Sequence, residues 1–382
     1  MPEPLPSRIR LVVLFGGRSA EHDVSCISAA SVLAAVDPSR YEVVPIGITL
    51  EGRWLEAGEA VAALGAGAPS LPVAGPEVDP LPVLGGGGAV PVVVLPLLHG
   101  PMGEDGTVQG LLEVAGVPYV GAGVLGSAAC MDKAFAKEVL ARHGLPQVRW
   151  RTIRDAEADA AEVEADLGWP VFVKPANLGS SVGVTRVEGP AALAAAVEVA
   201  RGYDEWVVIE EGVTARELEV GVLGNRALEA SVVGEIVPSR PFYDYEDKYL
   251  RGAARMDVPA DVPADVAAHA RRLAVRTAGA LRAEGMARVD FFYEAAGRGL
   301  LVNEVNTIPG FTPFSMFPSL WEASGLAYPS LIDRLVSLAL ERHGARHDRV
   351  GRARSSAPGD RGHVDEQGRA QERQQLVAPA HE

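Results

Sequence analysis

The stretch VFVKPANLGSSVGV, residues 171–184, sets a lysine at the end of an apolar run and follows it with small residues. Val171, Phe172 and Val173 are β-prone and read as a buried strand that ends at Lys174 and Pro175. Gly179, Ser180, Ser181 and Gly183 then let the backbone approach a ligand, and their amides can point at an anion, as in a phosphate cradle. An ordinary turn fits the same residues. A second stretch, ARVDFFYEAAGRGLLVNEVN, reads as a hairpin. Side chains alternate along a strand, so Arg288, Asp290 and Phe292 share one face of the first strand, and Val302, Glu304 and Asn306 share one face of the second. If the two faces coincide, Asp290, Glu304 and Asn306 offer the oxygen ligands that Mg²⁺ takes together with substrate phosphates. A solvated face with Arg288 paired to an acid fits equally well. Asn306 runs into TIPGFTPFSM, a Pro/Gly loop holding Ser315 and suited to close approach to a ligand. Lys133, in CMDK, adds a second cation. Phosphate donors beside metal ligands spell a nucleoside triphosphate, yet there is no G-x-x-x-x-G-K-[ST], and FGGRSA lacks G-x-G-x-x-G.

Elements must position these residues. IRLVVLFGG predicts a strand, RSAEHDVSCISAASVLAAV a helix after a polar start, and YEVVPIGIT a second strand, which together open as βαβ. PVVVLPLLHG, the loop GPMGEDG, the helix-like GTVQGLLEVAG and VPYVG continue the alternation, as in a doubly wound parallel sheet. Residues 56–90, rich in Gly, Ala and Pro, are expected to form a variable insertion with little structure of its own. From about residue 128 strands outnumber helices. A helix through MDKAFAKEVLARHG stops at Gly144 and Pro146, and strands are expected at VFVKP, GVTRV, WVVIEEG, LEVGVLG, EASVVGEIV, ARVDFFYE and LLVNEVN, an antiparallel-rich α+β region. ADVAAHARRLAVRTAGALRAEG predicts one long helix ending at Gly285. After about Ala345 the periodicity is gone, and a disordered tail is expected.

Composition narrows the classes. A chain of 382 residues with 48% hydrophobic content has room for two or three well-buried domains. A formal charge of −15 argues against a general nucleic-acid binder. No apolar run reaches the roughly 18 residues that span a bilayer, and MPEPLPSR lacks the apolar core of a signal peptide, so a cytoplasmic location without membrane partners is expected. The two cysteines, Cys26 and Cys130, show no metal-ligand spacing and read as packed thiols.

GGRSAEHDVS, LLHGPMGEDG, CMDK, KPANLGSSVGV, FYDYEDKY, RVDFFY and NEVNTIPGFTPFSM occur in the order found in D-alanine:D-alanine ligases of the ATP-grasp superfamily, and the chain resembles that family over roughly residues 10–340. The resemblance implies an α/β and α+β chain, a Rossmann-like N-terminal domain followed by a two-part ATP-grasp fold. Its expected bounds are 1–127 for the substrate domain, 128–214 for the central ATP-grasp subdomain, 215–345 for the C-terminal catalytic subdomain and 346–382 for the tail. It implies that ATP phosphorylates one D-alanine and that the amine of a second attacks the acylphosphate, giving the dipeptide used in peptidoglycan.

The same resemblance assigns roles. Glu21 holds the ammonium of the first D-alanine, and Ser180 and Tyr249 hydrogen-bond around it. His99 lies near the reacting carboxylate. Lys133, Lys174, Ser181 and Lys248 serve the ATP phosphates, while Glu210 and Glu217 contact adenine and ribose. Asp290, Glu304 and Asn306 hold Mg²⁺, expected as two ions with Mn²⁺ able to replace them. Arg288 and the Gly310 amide form the oxyanion site, and Ser315 with the Met316 amide binds the carboxylate of the second D-alanine. FYDYEDKYLRG suits a lid that keeps water from the acylphosphate. A homodimer is also implied. The rival readings are a D-alanine:D-lactate ligase and an idle ATP-grasp binding protein; the second is expected to have lost a metal ligand or Arg288, and neither loss has occurred.

Overall fold

The structure is a computed structural model that describes residues 6–58, 69–85, 90–237 and 255–347. It divides into two units, residues 1–343 and 344–382. Of the second, the described residues 344–347 are helical.

The first sheet is built around β1 (Ile9–Gly16), with β2 (Tyr41–Ile48) and β4 (Val92–Pro96) parallel to it on either side and the short β3 (Trp54–Glu56) antiparallel on β2. Seven of the eight β1 residues are buried, the pattern of a parallel strand covered on both faces. Helix α1 (His22–Ala35) follows β1, so the expected βαβ opening is present. VPYVG contributes only a bridge, Val94 to Tyr119, where a strand was predicted.

The stretch 56–90 departs from expectation in its described part. Helix α2 (Pro80–Leu84) is capped by Asp79, and Ala57, Leu71 and Leu84 are buried at 0%, 2% and 0% exposure. Prolines cost a helix little at its first turn, and α2 starts on one, so Pro-rich composition hid an ordered element. Residues 59–68 and 86–89 of this stretch lie outside the described residues.

Helix α3 (Thr107–Ala115) leads through residues 116–123 to α4 (Val124–Met131) and α5 (Lys133–Arg142). The helix expected through MDKAFAKEVLARHG is α5, and the preceding α4 was not anticipated; Asp132 separates the two, its carboxylate capping α5 by accepting from the Phe135 amide at 2.9 Å. The expected boundary at 127/128 falls inside α4.

The second sheet, in the order β5 (Trp150–Arg154), β8 (Trp206–Glu211), β6 (Val171–Pro175), β7 (Thr185–Val187), is antiparallel throughout. Helices α6 (Ala160–Asp166) and α7 (Leu193–Arg201) contribute to its core. The third sheet runs β11 (Arg255–Asp257), β10 (Glu229–Val237), β9 (Arg216–Gly224), β12 (Gly285–Glu294), β13 (Gly299–Asn306), again antiparallel. The antiparallel-rich expectation for this half therefore holds. Helix α8 (Ala264–Ala280) stops before its predicted end at Gly285. Gly285 instead opens β12 at φ +79°, where a Cβ would lie 2.7 Å from the Gly121 carbonyl oxygen.

Helices α9 (Met316–Ala323) and α10 (Tyr328–His347) close the described chain. Leu331, Leu335 and Leu338 of α10 join Ile9, Leu11 and Val13 of β1 in one core, so residues near the end of the first unit complete the packing of its first strand. Buried Arg342 donates to the Tyr119 carbonyl at 2.7 Å and to that of Gly121. The expected tail beyond residue 347 lies outside the described residues.

Leu331 is fully buried in that shared core. Leu331→Ala should therefore cost about 2–5 kcal/mol of unfolding free energy, the range for leucine truncation in a packed interior. Half-exposed Val199→Ala should stay within about 0.5 kcal/mol. Urea midpoints of the two variants check the difference.

Candidate active site

A pocket of roughly 490 Å³ opens where the start of α1, the loop after β4 and the β12–β13 hairpin meet. The N-terminal half supplies Glu21, His99 and Lys133, and the loop after β6 supplies Ser180. The hairpin supplies Arg288, Asp290, Glu304 and Asn306, the loop beyond it Gly310, Ser315 and Met316, and β9 supplies Glu217. Lys174, Ser181 and Glu210 do not line this pocket. Lys248 and Tyr249 lie outside the described residues.

Glu21 is 8% exposed and accepts a hydrogen bond from the Ser180 hydroxyl, joining the start of α1 to the small-residue loop. Ser180 and Ser181 both sit in the left-handed region, at φ +51° and +60°. Each such residue costs about 1–3 kcal/mol, and the bond to Glu21 helps to hold the first of them there. Within the loop the Val182 and Val184 amides are committed to the carbonyls of Gly179 and Ser181, which narrows the cradle predicted from composition. On the other side, Gly100 at φ +71° lets the chain pass so near that a Cβ would lie 2.9 Å from Glu21 Oε2.

His99 is 6% exposed, and its Nδ1 lies 3.0 Å from the Ile308 carbonyl. A carbonyl can only accept, so Nδ1 carries the proton and buried Nε2, which has no hydrogen-bond partner, keeps its lone pair. Burial pushes the imidazole pKa down against the pull of the Glu21 charge, which keeps the ring neutral. Glu104 was missed as a site residue, although it stands in the LLHGPMGEDG motif. It lines the pocket and accepts from the Gly100 amide at 2.9 Å. Burial first, then the Glu21 charge, raise its pKa to about 8, so it is a neutral carboxyl at neutral pH.

In the hairpin, Arg288 stands opposite Asn306 and Asp290 opposite Glu304, so the predicted common face exists. A bulge then shifts the register, and Phe291 pairs with Val302. Val302 therefore turns into the core at 0% exposure, contrary to its predicted place beside Glu304, and the extra residue Asn303 lines the pocket. Arg288 grips Asp290 with two bonds of 2.7 Å and lies 2.8 Å from Glu219 on β9. Burial works against this cation, but the two carboxylates hold its pKa well above the usual range. Asn306 donates to Asp290 at 2.9 Å, and Glu304 lies 3.8 Å from Lys133.

The donor set of two carboxylates and an amide suits a hard divalent cation that keeps other ligands from phosphate and water. The Asn303 side-chain oxygen, buried without a partner, adds an acceptor beside them. Among the described residues no group of three His, Cys, Asp or Glu side chains could hold a metal by itself.

Lys133 donates to the Leu178 carbonyl at 2.6 Å. Glu210, 4% exposed, sits between Lys174 at 2.7 Å and Lys137 at 2.8 Å. Lys137 was not singled out from sequence. Its spacing of four from Lys133 on one helix was the available signal, since that spacing places both on one face.

Beyond the hairpin, the Ser315 hydroxyl accepts from the Thr312 amide at 3.1 Å and pairs with the Thr312 hydroxyl at 2.9 Å. It makes no capping bond to α9, whose leading amides, Met316 first, have no acceptor within the helix. That arrangement favours an anion. Both cysteines are buried and free, and burial pushes Cys26 up to about 12 and Cys130 higher still, so they are packed thiols.

Residues 10–122 match the family profile described as D-ala D-ala ligase N-terminus, and residues 139–337 that of the D-ala D-ala ligase C-terminus. The chain is 48% identical to a D-alanine--D-alanine ligase of Nocardia farcinica, covering 88% of this chain and 99% of the relative. It is 51% identical to one of Kineococcus radiotolerans, covering 87% and 97%. Among solved structures it resembles the D-alanine-D-alanine ligase of Coxiella burnetii at TM-score 0.74 and 34% identity, covering 89% and 96%. It resembles the VanG D-Ala:D-Ser ligase of Enterococcus faecalis at TM-score 0.76 and 35% identity, covering 87% and 99%.

Between the ordinary glutamate range and about pH 8 the folded chain keeps a proton on Glu104 that the unfolded chain has lost, so this group makes the protein less stable as pH rises through that window. Glu104→Gln, which mimics the neutral carboxyl, should stabilise the protein at pH 8 relative to pH 5 by about 1 kcal/mol or more. Thermal unfolding of both proteins at the two pH values reads the difference, and equal shifts would contradict the account.

Proposed function

The chain belongs to the D-alanine–D-alanine ligase family, and from that membership and the pocket's geometry we infer how its residues divide the work. The reaction is the ATP-dependent, ADP-forming ligation of two D-alanine molecules to D-alanyl-D-alanine for peptidoglycan synthesis. The carboxylate oxygen of the first D-alanine forms a bond to the γ-phosphorus as the β–γ bridge breaks and ADP leaves. The second D-alanine loses an ammonium proton, its amine forms the C–N bond, and the acyl C–O bond breaks to release phosphate.

One observation carries the assignment of roles: Glu21, from the start of α1, and Arg288, from the hairpin, line the same pocket. Glu21 takes the ammonium of the first D-alanine, and Ser180 orients it. Arg288, permanently charged, and the Gly310 amide face the oxygens on which negative charge gathers. His99, neutral and with Nε2 bare, sits by the reacting carboxylate without adding charge. Ser315 and the Met316 amide receive the carboxylate of the second D-alanine, for which the Ser315 hydroxyl must share its contact with Thr312.

Lys133, Lys174 and Ser181 serve the phosphates of ATP, Glu210 the adenine and Glu217 the ribose. Asp290, Glu304 and Asn306 would hold Mg²⁺, as two ions that Mn²⁺ can replace, and that metal would neutralise charge on the phosphate oxygens. Binding it requires Asp290 to share its oxygens with Arg288 and Glu304 to loosen from Lys133. Lys248, reaching the transferred phosphoryl group, and Tyr249, closing the site and favouring an amine over D-lactate, rest on the FYDYEDKY motif alone.

The same reading takes the first sheet as the Rossmann-like substrate domain, 1–127, and the second and third as the two parts of an ATP-grasp fold, 128–214 and 215–345. It takes the protein as a cytoplasmic homodimer. Among the described residues no helix is long and apolar enough to cross a membrane.

Purified protein with ATP, Mg²⁺ and D-alanine should form ADP, phosphate and dipeptide in equal amounts, and should release no phosphate with L-alanine. Equal turnover of both isomers would overturn the substrate assignment. Arg288→Lys retains the charge but not the forked geometry. It should lower kcat by about 10²–10³-fold, as for loss of one oxyanion donor. Steady-state rates, with melting temperature as the folding control, check it.

A further inference from the structure

Lys137 is a buried cation that this division of work leaves over. Lys137 is 2% exposed, on the face of α5 that carries Lys133. Its Nζ lies 2.8 Å from Glu210 Oε1 and 5.5 Å from the centre of the Trp150 ring. Among the described residues Glu210 is the carboxylate with which it forms an ion pair. The other Glu210 oxygen meets Lys174 at 2.7 Å. Burying an ammonium costs several kcal/mol before its partner repays it. A lysine placed at that cost against one carboxylate acts through that carboxylate.

We propose that Lys137 is a positioning residue for nucleotide choice: it holds Glu210 as an ionised hydrogen-bond acceptor facing the exocyclic amino group of adenine, and so excludes guanine. The inference rests on the reading of Glu210 as the adenine contact. An ionised carboxylate only accepts hydrogen bonds. At the edge in question adenine presents an amino donor and guanine a carbonyl acceptor. The ionised group therefore welcomes the first base and repels the second, whereas a protonated carboxyl could donate to guanine.

Lys174 cannot do this alone. It is the lysine at the small-residue loop, and triphosphate draws it away from Glu210 towards phosphate oxygens. Lys137 sits instead on α5, 2% exposed between Glu210 and the Trp150 ring, away from the small-residue loop. Glu210 is faced by Lys137 from α5 and Lys174 from β6; Lys133 on α5, Glu304 on β13 and Glu104 from the loop after β4 add to the charges felt by the cluster. Burial pushes the Glu210 carboxyl up, and Lys137 and Lys174 outweigh it and hold the group well below the usual range. With Lys137 gone and Lys174 drawn to phosphate, burial is left to act and the carboxyl takes a proton more readily.

The test compares kcat/KM for ATP and for GTP, with D-alanine saturating, from pH 6 to 9 in the full chain and in Lys137→Met, Lys137→Arg and Glu210→Gln. Lys137→Met should cut the ATP/GTP preference at least tenfold at pH 7, and the preference should fall further towards pH 6. Lys137→Arg should restore most of it, and Glu210→Gln should lower it and abolish its pH dependence. If Lys137→Met does not fold, as judged by its melting transition, Lys137→Gln takes its place. A lysine that merely supports the fold would lower both rates together. An unchanged preference in Lys137→Met beside a reduced one in Glu210→Gln would overturn the proposal and leave the adenine reading standing. An unchanged preference in Glu210→Gln would overturn the adenine reading and the proposal with it.

Discussion

Arg288 carries a charge that cannot be titrated away onto the largely buried pocket face of the third sheet, and the site is arranged around meeting it. Asp290, two residues along the same strand, and Glu219, on the neighbouring strand β9, supply the opposing charge. Removing one partner of such a group leaves a buried charge uncompensated, typically at 3–5 kcal/mol. The strand pairing is therefore tied to the chemistry: β9 against β12 brings Glu219 to Arg288, and β12 against β13 brings Asn306 and Glu304 to the same face. A cation held in this way needs no reorganisation when negative charge develops in front of it, which is what a transition-state stabiliser requires.

In the pocket and beside it, other carboxylates are likewise met by a cation or a hydrogen-bond donor. Glu210 takes Lys137 and Lys174, Glu304 leans towards Lys133, and Glu21 takes the Ser180 hydroxyl. Elsewhere burial moved a proton instead: Glu104 is neutral beside Glu21, and His99 is neutral between Glu21 and Arg288. Elements distant in sequence are thus joined through side chains as well as through their cores. On the proposed division of roles, binding of D-alanine and ATP would exchange these internal partners for external ones, Ser315 and Lys174 included.

Much of this was legible in the sequence, for physical reasons that differ by region. The βαβ opening showed because β1 is apolar on both faces, and the hairpin showed because period-two alternation puts its polar residues on one side. The antiparallel half showed through short strands broken by glycine turns. The bulge at Asn303 did not, because a single extra residue leaves the alternation on either side intact and only slips it by one. The break at Asp132 was hidden by good helix formers around it, and α2 by its own prolines. Composition announced a Gly/Ser loop after β6, but two serines at positive φ follow from tertiary contacts that no local propensity encodes. Glu104 and Lys137 were missed for a related reason: an acid in a glycine-rich loop and a lysine on a helix both read as surface residues until burial is known.

On the proposed mechanism the carboxylate of one D-alanine is activated by phosphoryl transfer before the second amine attacks. The most direct measurement supplies D-alanine whose carboxylate oxygens are both ¹⁸O, with unlabelled ATP, and weighs the products by mass spectrometry. The account predicts that each phosphate released carries one ¹⁸O, taken from the carboxylate when the acyl C–O bond breaks, and that ADP forms in equal amount. Unlabelled phosphate, or AMP in place of ADP, would contradict it.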